Sequence, residues 1–290
     1  MINAALQEAL RSALGSGLKT TRRLSGGDIN DAFEVELMSG VRVFLKTNAS
    51  APPSMFPAEA AGLDWLRAAG ALRVPEVLAV SNGRDDEPGF LVLELLTPGQ
   101  PLRDFDQRLG RGMAELHRFG APRFGWERPN FIGSLPQRNQ AHDSWADFFW
   151  YERLEPQLTR AVTAGLASAR LRTGFERLAS RLTQLVGPAE APARLHGDLW
   201  GGNLHIDESG APCLIDPAAY GGHREVDLAM MRLFGGFGES VFRAYQEVWP
   251  LSPGYAERIA LYQLYPLLVH LNLFGGSYAE SVERSLARYV

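Results

Sequence analysis

Short strand patterns separated by turn residues fill the N-terminal third of the chain, and they limit the fold more than any other feature of the sequence. In the clearest one, Val41–Thr47, apolar Val43 and Leu45 alternate with basic residues, as in a strand with one buried face. A helix is predicted over residues 58–69, bounded by a proline and a glycine. The predicted strands are Thr20–Leu24, Ala32–Leu37, Val41–Thr47, Val77–Val80 and Gly89–Leu96. They predict a five-stranded antiparallel sheet.

The rest of the chain is predicted to be mostly helical. The predicted helices are Leu109–Arg118, Trp145–Ala161, Gly174–Val186, Val226–Phe234, Val241–Val248 and Tyr255–Leu273. Two short strand patterns, Leu204–Ile206 and Cys213–Ile215, are joined by a turn at Asp207–Gly210. A sheet followed by helices predicts an α+β fold with a small lobe over residues 1–97, a helical lobe over residues 98–290, and a cleft between them.

Composition and charge exclude several classes of protein. The chain has 290 residues, of which 46% are hydrophobic and 21% charged, as in ordinary globular proteins. With a net charge of -4 and no long basic run, it has no nucleic-acid-binding pattern. The N-terminus lacks a signal-peptide pattern, and the most apolar stretch, Leu261–Phe274, is too short and too polar to span a membrane. A single cysteine, Cys213, allows no internal disulfide and suits a cytoplasmic protein.

The strongest chemical signal is the run His196-Gly197-Asp198-Leu199-Trp200-Gly201-Gly202-Asn203. Its His, Asp, Leu and Asn have the spacing of the kinase catalytic loop H-R-D-L-x-x-x-N, with Gly197 in place of the arginine. In such a loop Asp198 accepts the proton of the attacking hydroxyl, and Asn203 binds Mg²⁺. The alternative is a solvated loop with an Asx-turn at Asp198. The run predicts a protein-kinase-like fold and phosphoryl transfer from ATP.

Further polar residues are expected to support this loop. Asp216 follows a short apolar strand, where protein kinases carry the D-F-G aspartate, and is the expected second Mg²⁺ ligand. The alternative is that Asp216 merely ends a strand. We expect His196 to be a structural imidazole rather than the base, and Asp227 to brace the loop through hydrogen bonds. An exposed first-turn carboxylate, stabilised by the helix dipole, is the alternative for Asp227.

The nucleotide-binding residues are expected in the small lobe. Lys46 ends the strand V-F-L-K, which is similar to the kinase V-A-I-K strand, and would contact the α- and β-phosphates unless it is an ordinary surface lysine. Glu59, with Asp64 as competitor, is expected to orient Lys46. A glycine-rich turn between the first two strands suits either a phosphate cover or a plain hairpin. The remaining expected nucleotide contacts are Gly26, Gly27 and Asn30 in that turn, and Glu94 and Leu96 at the hinge.

Three longer stretches carry more specific patterns. Leu195–Asn203 contains H-G-D-L-W-G-G-N, Asp216–Met231 reads D-P-A-A-Y-G-G-H-R-E-V-D-L-A-M-M, and Phe124–Asn139 contains N-x-I-G-x-x-P-Q-x-N. These stretches resemble segments of the fructosamine kinase (ketosamine-3-kinase) family, within the aminoglycoside phosphotransferase and choline kinase group. The resemblance implies ATP- and Mg²⁺-dependent phosphorylation, at the sugar O3, of a ketosamine, the Amadori product of a sugar and an amine. That phosphorylation promotes spontaneous deglycation.

Three residues are candidates for contacting the acceptor. Trp200 would cover one face of the sugar, unless it is a core residue of the helical lobe. His270 and Asn272 lie in an apolar C-terminal helix, so they must face each other, a backbone group or a substrate. The sequence does not fix the sugar, the amine, whether the substrate is protein-bound, or the oligomeric state.

Two other functions stay open. An aminoglycoside- or choline-type kinase binds a cationic acceptor and would need a dense acidic cluster near the end of the chain. A catalytically inactive nucleotide-binding module is the other possibility, against which the intact Lys46, Asp198, Asn203 and Asp216 argue.

Overall fold

The structure is a computed structural model and describes residues 2–24, 30–83 and 88–290. The strands are β1 (Leu18–Leu24), β2 (Asp31–Leu37), β3 (Arg42–Thr47), β4 (Val77–Ser81), β5 (Phe90–Glu94), β6 (Asn130–Ile132), β7 (Leu135–Gln137), β8 (Ala193–Leu195), β9 (Leu204–Ile206), β10 (Pro212–Leu214) and β11 (Tyr220–Gly222). The helices are α1 (Ala4–Leu14), α2 (Met55–Arg67), α3 (Phe105–Phe119), α4 (Trp145–Phe148), α5 (Glu155–Thr163), α6 (Ala169–Leu185), α7 (Glu225–Leu233), α8 (Glu239–Val248), α9 (Tyr255–Phe274) and α10 (Ala279–Leu286).

The chain divides into two compact units. The first, here called the sheet unit, comprises Met1–Phe105 and Leu204–Pro217, and the second, the helical unit, comprises Asp106–Asn203 and Ala218–Val290. The α+β fold class is confirmed. The β9–β10 hairpin groups with the sheet unit although it lies far along the chain, which the strand patterns did not predict. The division at residue 97 into two functional lobes stays a prediction.

The sheet unit contains the predicted five-stranded antiparallel sheet, with the strand order β1-β2-β3-β5-β4. The central position of β3 places Lys46 between Ala32 of β2 and Leu91 of β5. Helix α1 precedes the sheet in the chain and begins where Asn3 accepts a hydrogen bond from the Leu6 N–H at 2.8 Å. Helix α2 begins three residues before its predicted start and holds a proline in its first turn, where a proline is tolerated.

Contacts of the β9–β10 hairpin explain its place in the sheet unit. The Arg73 guanidinium pairs with Asp207 at 2.9 Å and with Glu208 at 2.7 Å, both in the turn of the hairpin. Backbone hydrogen bonds add to these ion pairs, because Leu214 donates to the Arg73 carbonyl at 2.9 Å and Gly99 donates to the Ile206 carbonyl at 3.1 Å. The segment that follows β5 is thereby joined to β9.

The helical unit is built around α9, whose inner face lies in a large apolar core with residues of α4, α5, α6 and α7. The predicted helix over residues 145–161 is realised as α4, a π-helical segment at Phe149–Leu154, and α5. The three-residue strand pairs β6–β7 and β8–β11 were not predicted, because so short a strand shows no alternation. Within the part of the chain that the structure describes, no helix has the length and apolar character needed to cross a bilayer.

Candidate active site

The predicted catalytic loop leaves β8 in the helical unit and closes in a 3₁₀ turn at Gly201–Asn203. The Asn203 side-chain amide donates to the Asp198 backbone carbonyl at 2.8 Å and to the Asp198 carboxylate at 3.2 Å. The two residues assigned to proton acceptance and to metal binding therefore lie side by side. Asp198 is half-buried, whereas His196 is fully buried and unsuited to contact a substrate.

Gly197 occupies a position that excludes a side chain. Its φ of +83° lies in the left-handed region, and a Cβ there would lie 2.1 Å from the Ala218 carbonyl oxygen. The Ala218 N–H in turn donates to the His196 carbonyl at 3.0 Å. The loop runs so close to Ala218 that the arginine of the H-R-D pattern has no room here.

Asp227 holds the backbone of this loop. Its carboxylate accepts hydrogen bonds from the His196 N–H at 2.8 Å and the Gly197 N–H at 2.9 Å, and His117 Nε2 lies 3.2 Å away. Asp227 is fully buried, so the exposed-carboxylate alternative does not hold. Burial acts to raise the pKa of Asp227, but the hydrogen bonds and positive charge around it hold that pKa below its usual value. His117 was missed because it lies on α3, far from the loop in sequence.

Three amide side chains of the Asn130–Asn139 segment, those of Asn130, Gln137 and Asn139, are buried and hydrogen-bonded to one another. Gln137 donates to the Ala218 carbonyl at 3.1 Å and to Asn130 Oδ1 at 2.8 Å, and Asn130 donates to the Ala219 carbonyl at 2.8 Å. The segment therefore fixes the backbone next to Gly197.

In the sheet unit, Lys46 is buried between two carboxylates. Its Nζ lies 2.8 Å from Glu59 and 2.5 Å from Asp216, so the surface-lysine alternative does not hold. The predicted competitor Asp64 is exposed and pairs with Arg67 instead. Burial acts to lower the pKa of Lys46, but the charges of Asp216 and Glu59 outweigh burial and raise it. Burial also raises the pKa of Glu59.

Asp216 has an unusual backbone conformation. Among the described residues it is the one non-glycine residue with a positive φ, at 53°. Aspartate tolerates this left-handed region better than most residues, and such conformations often occur at functional sites. Its side chain is 40% exposed, so a carboxylate that contacts Lys46 is also open to solvent.

The other predicted nucleotide contacts have mixed outcomes. Gly26 and Gly27 lie outside the described residues. Asn30 accepts a hydrogen bond from Asn48 at 3.2 Å. The Glu94 carboxylate pairs with Arg73 at 3.3 Å, and Leu96 lies half-buried just beyond β5.

The predicted acceptor residues lie in the helical unit. Trp200 is 43% exposed, so it is not a core residue, and its ring covers Gly202 so closely that a Cβ there would lie 2.3 Å away. His270 Nδ1 donates to the Pro266 carbonyl at 2.8 Å, whereas the Asn272 amide donates to the carbonyl and the side chain of Gln157. The two residues therefore have separate partners and do not face each other.

The described side chains form no cluster of the kind that holds a metal ion by protein ligands alone. Across residues 2–24, 30–83 and 88–290, no three His, Cys, Asp or Glu side chains converge as a metal site. Mg²⁺ in kinases is commonly held by one or two protein oxygens together with the phosphates of the nucleotide. The oxygen ligands that Asp216 and Asn203 offer are of the kind that such an ion takes.

Known proteins match this chain over nearly its whole length. The fructosamine kinase family model matches residues 2–290. A probable ketoamine kinase from Synechocystis sp. is 40% identical, covering 93% of this chain and 90% of that protein. The protein-ribulosamine 3-kinase of Arabidopsis thaliana chloroplasts is 36% identical, covering 92% of this chain and 81% of that protein.

Solved structures give the same result for the fold. A Thermobifida fusca protein assigned as a fructosamine-3-kinase superposes with a TM-score of 0.88 at 35% identity, covering 98% of both chains. The aminoglycoside phosphotransferase APH(4)-Ia superposes with a TM-score of 0.63 at 17% identity, covering 97% of this chain and 98% of that chain, which shows a shared protein-kinase-like fold alone. The chain therefore belongs to the fructosamine kinase family.

Proposed function

We propose that this protein transfers the γ-phosphoryl group of ATP to O3 of a ketosamine. The observation that carries the proposal is the loop in which Asn203 contacts Asp198 while buried Asp227 holds the backbone on its N-terminal side. This is the arrangement of a kinase catalytic loop. The printed names of the relatives, ketoamine kinase and protein-ribulosamine 3-kinase, support a ketosamine as the acceptor.

The sheet unit supplies the nucleotide-binding residues in this proposal. Lys46, held by Glu59, contacts the α- and β-phosphates, because a buried ammonium whose pKa is raised by its carboxylate neighbours is a strong partner for them. The remaining nucleotide contacts in the proposal are Gly26, Gly27 and Asn30 over the phosphates, and the backbone of Glu94 and Leu96 at the adenine.

The helical unit supplies the catalytic residue. Asp198 accepts the proton of the acceptor hydroxyl as that oxygen attacks phosphorus, and His196 and Asp227 brace the loop. Asn203 and Asp216 are the proposed ligands of Mg²⁺. When bound, this ion would neutralise negative charge on the phosphate oxygens. A cytoplasmic location belongs to the same proposal.

The chemistry of the product explains what such a transfer achieves. Phosphate is a far better leaving group than hydroxide. When the ketosamine 3-phosphate enolises toward C1, the C3–O bond breaks and inorganic phosphate leaves with the electron pair. Water then hydrolyses the imine that remains, which frees the amine and a deoxy-dicarbonyl sugar. The enzyme therefore needs no lyase residues for deglycation.

A panel of acceptors tests the proposal. Mg-ATP is supplied with fructosyl-, ribulosyl- and erythrulosyl-lysine, and in parallel with an aminoglycoside and with choline, while ADP release is measured. We expect turnover of the ketosamines alone. Turnover of choline or the aminoglycoside without any ketosamine would refute the acceptor but keep the kinase, and no ADP release from any acceptor would favour an inactive nucleotide-binding module.

A further inference from the structure

An aromatic cluster surrounds His270 in the helical unit. The ring of Phe234 lies 4.6 Å from the His270 ring, that of Tyr278 lies 5.1 Å away, and that of Phe274 lies 5.4 Å away, all measured between centroids. We call these four residues the aromatic cluster. Phe234 is 40% exposed and Phe274 is 53% exposed, so the cluster is open to solvent rather than part of the core. Large apolar rings left exposed together commonly mark a binding surface.

The ring nitrogens of His270 have distinct roles. Because Nδ1 lies 2.8 Å from the Pro266 carbonyl, it must carry the proton and donate. Burial lowers the pKa of His270, so the ring is neutral at neutral pH and Nε2 is an acceptor. Within the described part of the chain Nε2 makes no hydrogen bond, and it is not among the fully buried atoms that lack a partner. The cluster therefore presents one accessible acceptor nitrogen among three aromatic rings.

The aromatic cluster begins beside the catalytic loop. Phe234 directly follows α7 and is itself followed by Gly235 and Gly236. A Cβ on Gly236 would lie 3.3 Å from the Cα of Gly201, so the two backbones are in contact. Gly201 lies three residues after Asp198 in the chain. The residues just before Gly236, Phe234 among them, are therefore brought next to the C-terminal part of the catalytic loop.

We propose that the aromatic cluster binds the amine of the ketosamine as a protonated secondary ammonium. The ammonium N–H donates to His270 Nε2, and the faces of Phe234, Phe274 and Tyr278 stabilise its charge by cation–π attraction. This inference rests on the proposed function and adds that the enzyme recognises the ammonium group of the ketosamine. In a ketosamine only C1 and C2 separate the nitrogen from C3, so an ammonium must lie close to the phosphorylated oxygen.

The cluster also predicts which amines bind less well. Aromatic rings attract any ammonium, but only an ammonium that carries an N–H can donate a hydrogen bond to the acceptor nitrogen. A quaternary ammonium would place a methyl group against Nε2 and leave that acceptor unpaired. Secondary amines should therefore be preferred over their quaternary analogues.

Two variants and one control test this inference. His270→Phe keeps an aromatic ring but removes the acceptor, and Phe234→Leu removes an exposed ring but keeps an apolar side chain. Phe119→Leu is the control, because Phe119 is 55% exposed and packs on Arg194 rather than on the cluster. The substrates are ribulosyl-lysine and its N,N-dimethyl quaternary analogue, each with Mg-ATP, and thermal unfolding checks that every variant is folded.

We expect His270→Phe to raise the KM for ribulosyl-lysine by about 10-fold or more, the effect of losing a charge-assisted hydrogen bond. The KM for ATP should stay within about twofold, and the preference for the secondary amine should disappear. Phe234→Leu should raise the KM for both substrates, and Phe119→Leu should change neither. An unchanged KM in both cluster variants, or equal use of the two amines by the wild type, would overturn the inference while the proposed function stands. If the wild type turned over no ketosamine, the proposed function would fail and this inference with it.

Discussion

Among single residues, Gly197 and Gly235 allow the cost of a strained backbone to be compared with the cost of a steric clash. Both have a left-handed φ, of +83° and +74°, but a Cβ at Gly197 meets the Ala218 carbonyl whereas a Cβ at Gly235 meets nothing within 4 Å. Gly235→Ala should cost only the conformational penalty of about 1–2 kcal/mol. Gly197→Ala should cost clearly more and should reduce turnover, because the loop must move away from Ala218. Urea unfolding of both variants checks this, and equal losses of stability would show that Gly197 has room for a methyl group.

The charge on Asp227 should be visible in the pH dependence of stability. Because folding lowers the pKa of Asp227, its contribution is present above the unfolded pKa, near 3.8, and is lost as the pH falls through the folded value. Asp227→Asn removes that contribution, and we expect a loss of about 1.5–3 kcal/mol near pH 7. The difference between wild type and variant should narrow as the pH falls below 3.8. A difference that does not change between neutral and acidic pH would mean that shape rather than charge matters at this position.

At the scale of elements, the β6–β7 pair positions the backbone that packs against the catalytic loop. The Gln137 amide is the centre of this contact, because it donates to Asn130 and to the Ala218 carbonyl and accepts from the Tyr265 hydroxyl at 2.6 Å. The Ala218 N–H donates a hydrogen bond to the His196 carbonyl, and the Ala218 carbonyl packs against Gly197. The pair therefore acts on catalysis through the loop and not by touching a substrate.

Gln137→Ala should lower kcat by about 10-fold, since small displacements of reacting groups are costly. It should leave the KM for the ketosamine within about twofold and cost at least about 2 kcal/mol of stability, because buried polar groups lose their partners. Gln140→Ala is the matched control, because Gln140 is an exposed glutamine directly after the Asn130–Asn139 segment. Steady-state kinetics, with the folded fraction measured by circular dichroism, gives both constants. A rise in KM with an unchanged kcat would indicate substrate contact instead.

For the molecule as a whole, the sequence predicted those features whose residues lie close together in the chain or in neighbouring elements. Strand alternation predicted the sheet that holds Lys46, and fixed spacing predicted that Asp198 and Asn203 would meet, since five residues across a tight loop leave little freedom. The pairing of Lys46 with Glu59 also follows from adjacent elements, β3 and α2. In each case the partners are close in sequence or belong to neighbouring elements.

The features that the sequence did not predict depend on contacts between distant segments. His117 reaches Asp227 across 110 positions, and Gln137 reaches Ala218 across 81, so neither has a local signal. The Asn130–Asn139 pattern marks the family, but its residues are buried and bonded to backbone. His270 and Asn272 are two positions apart on α9, and a helix turns them to different partners.

The position of the transferred phosphate tests whether this protein is an O3-specific ketosamine kinase. Wild-type protein and Asp198→Ala are incubated with Mg-ATP and ribulosyl-lysine, and the reaction is followed by phosphorus NMR while free lysine is assayed. We expect the wild type to form a phosphate ester coupled to the C3 proton, which then decays as one lysine appears for each ADP. Asp198→Ala should still bind ATP but should form the ester at least about 100-fold more slowly. An ester on another carbon or ADP without lysine would contradict phosphorylation at O3, and turnover by Asp198→Ala within tenfold of the wild type would contradict the role of Asp198.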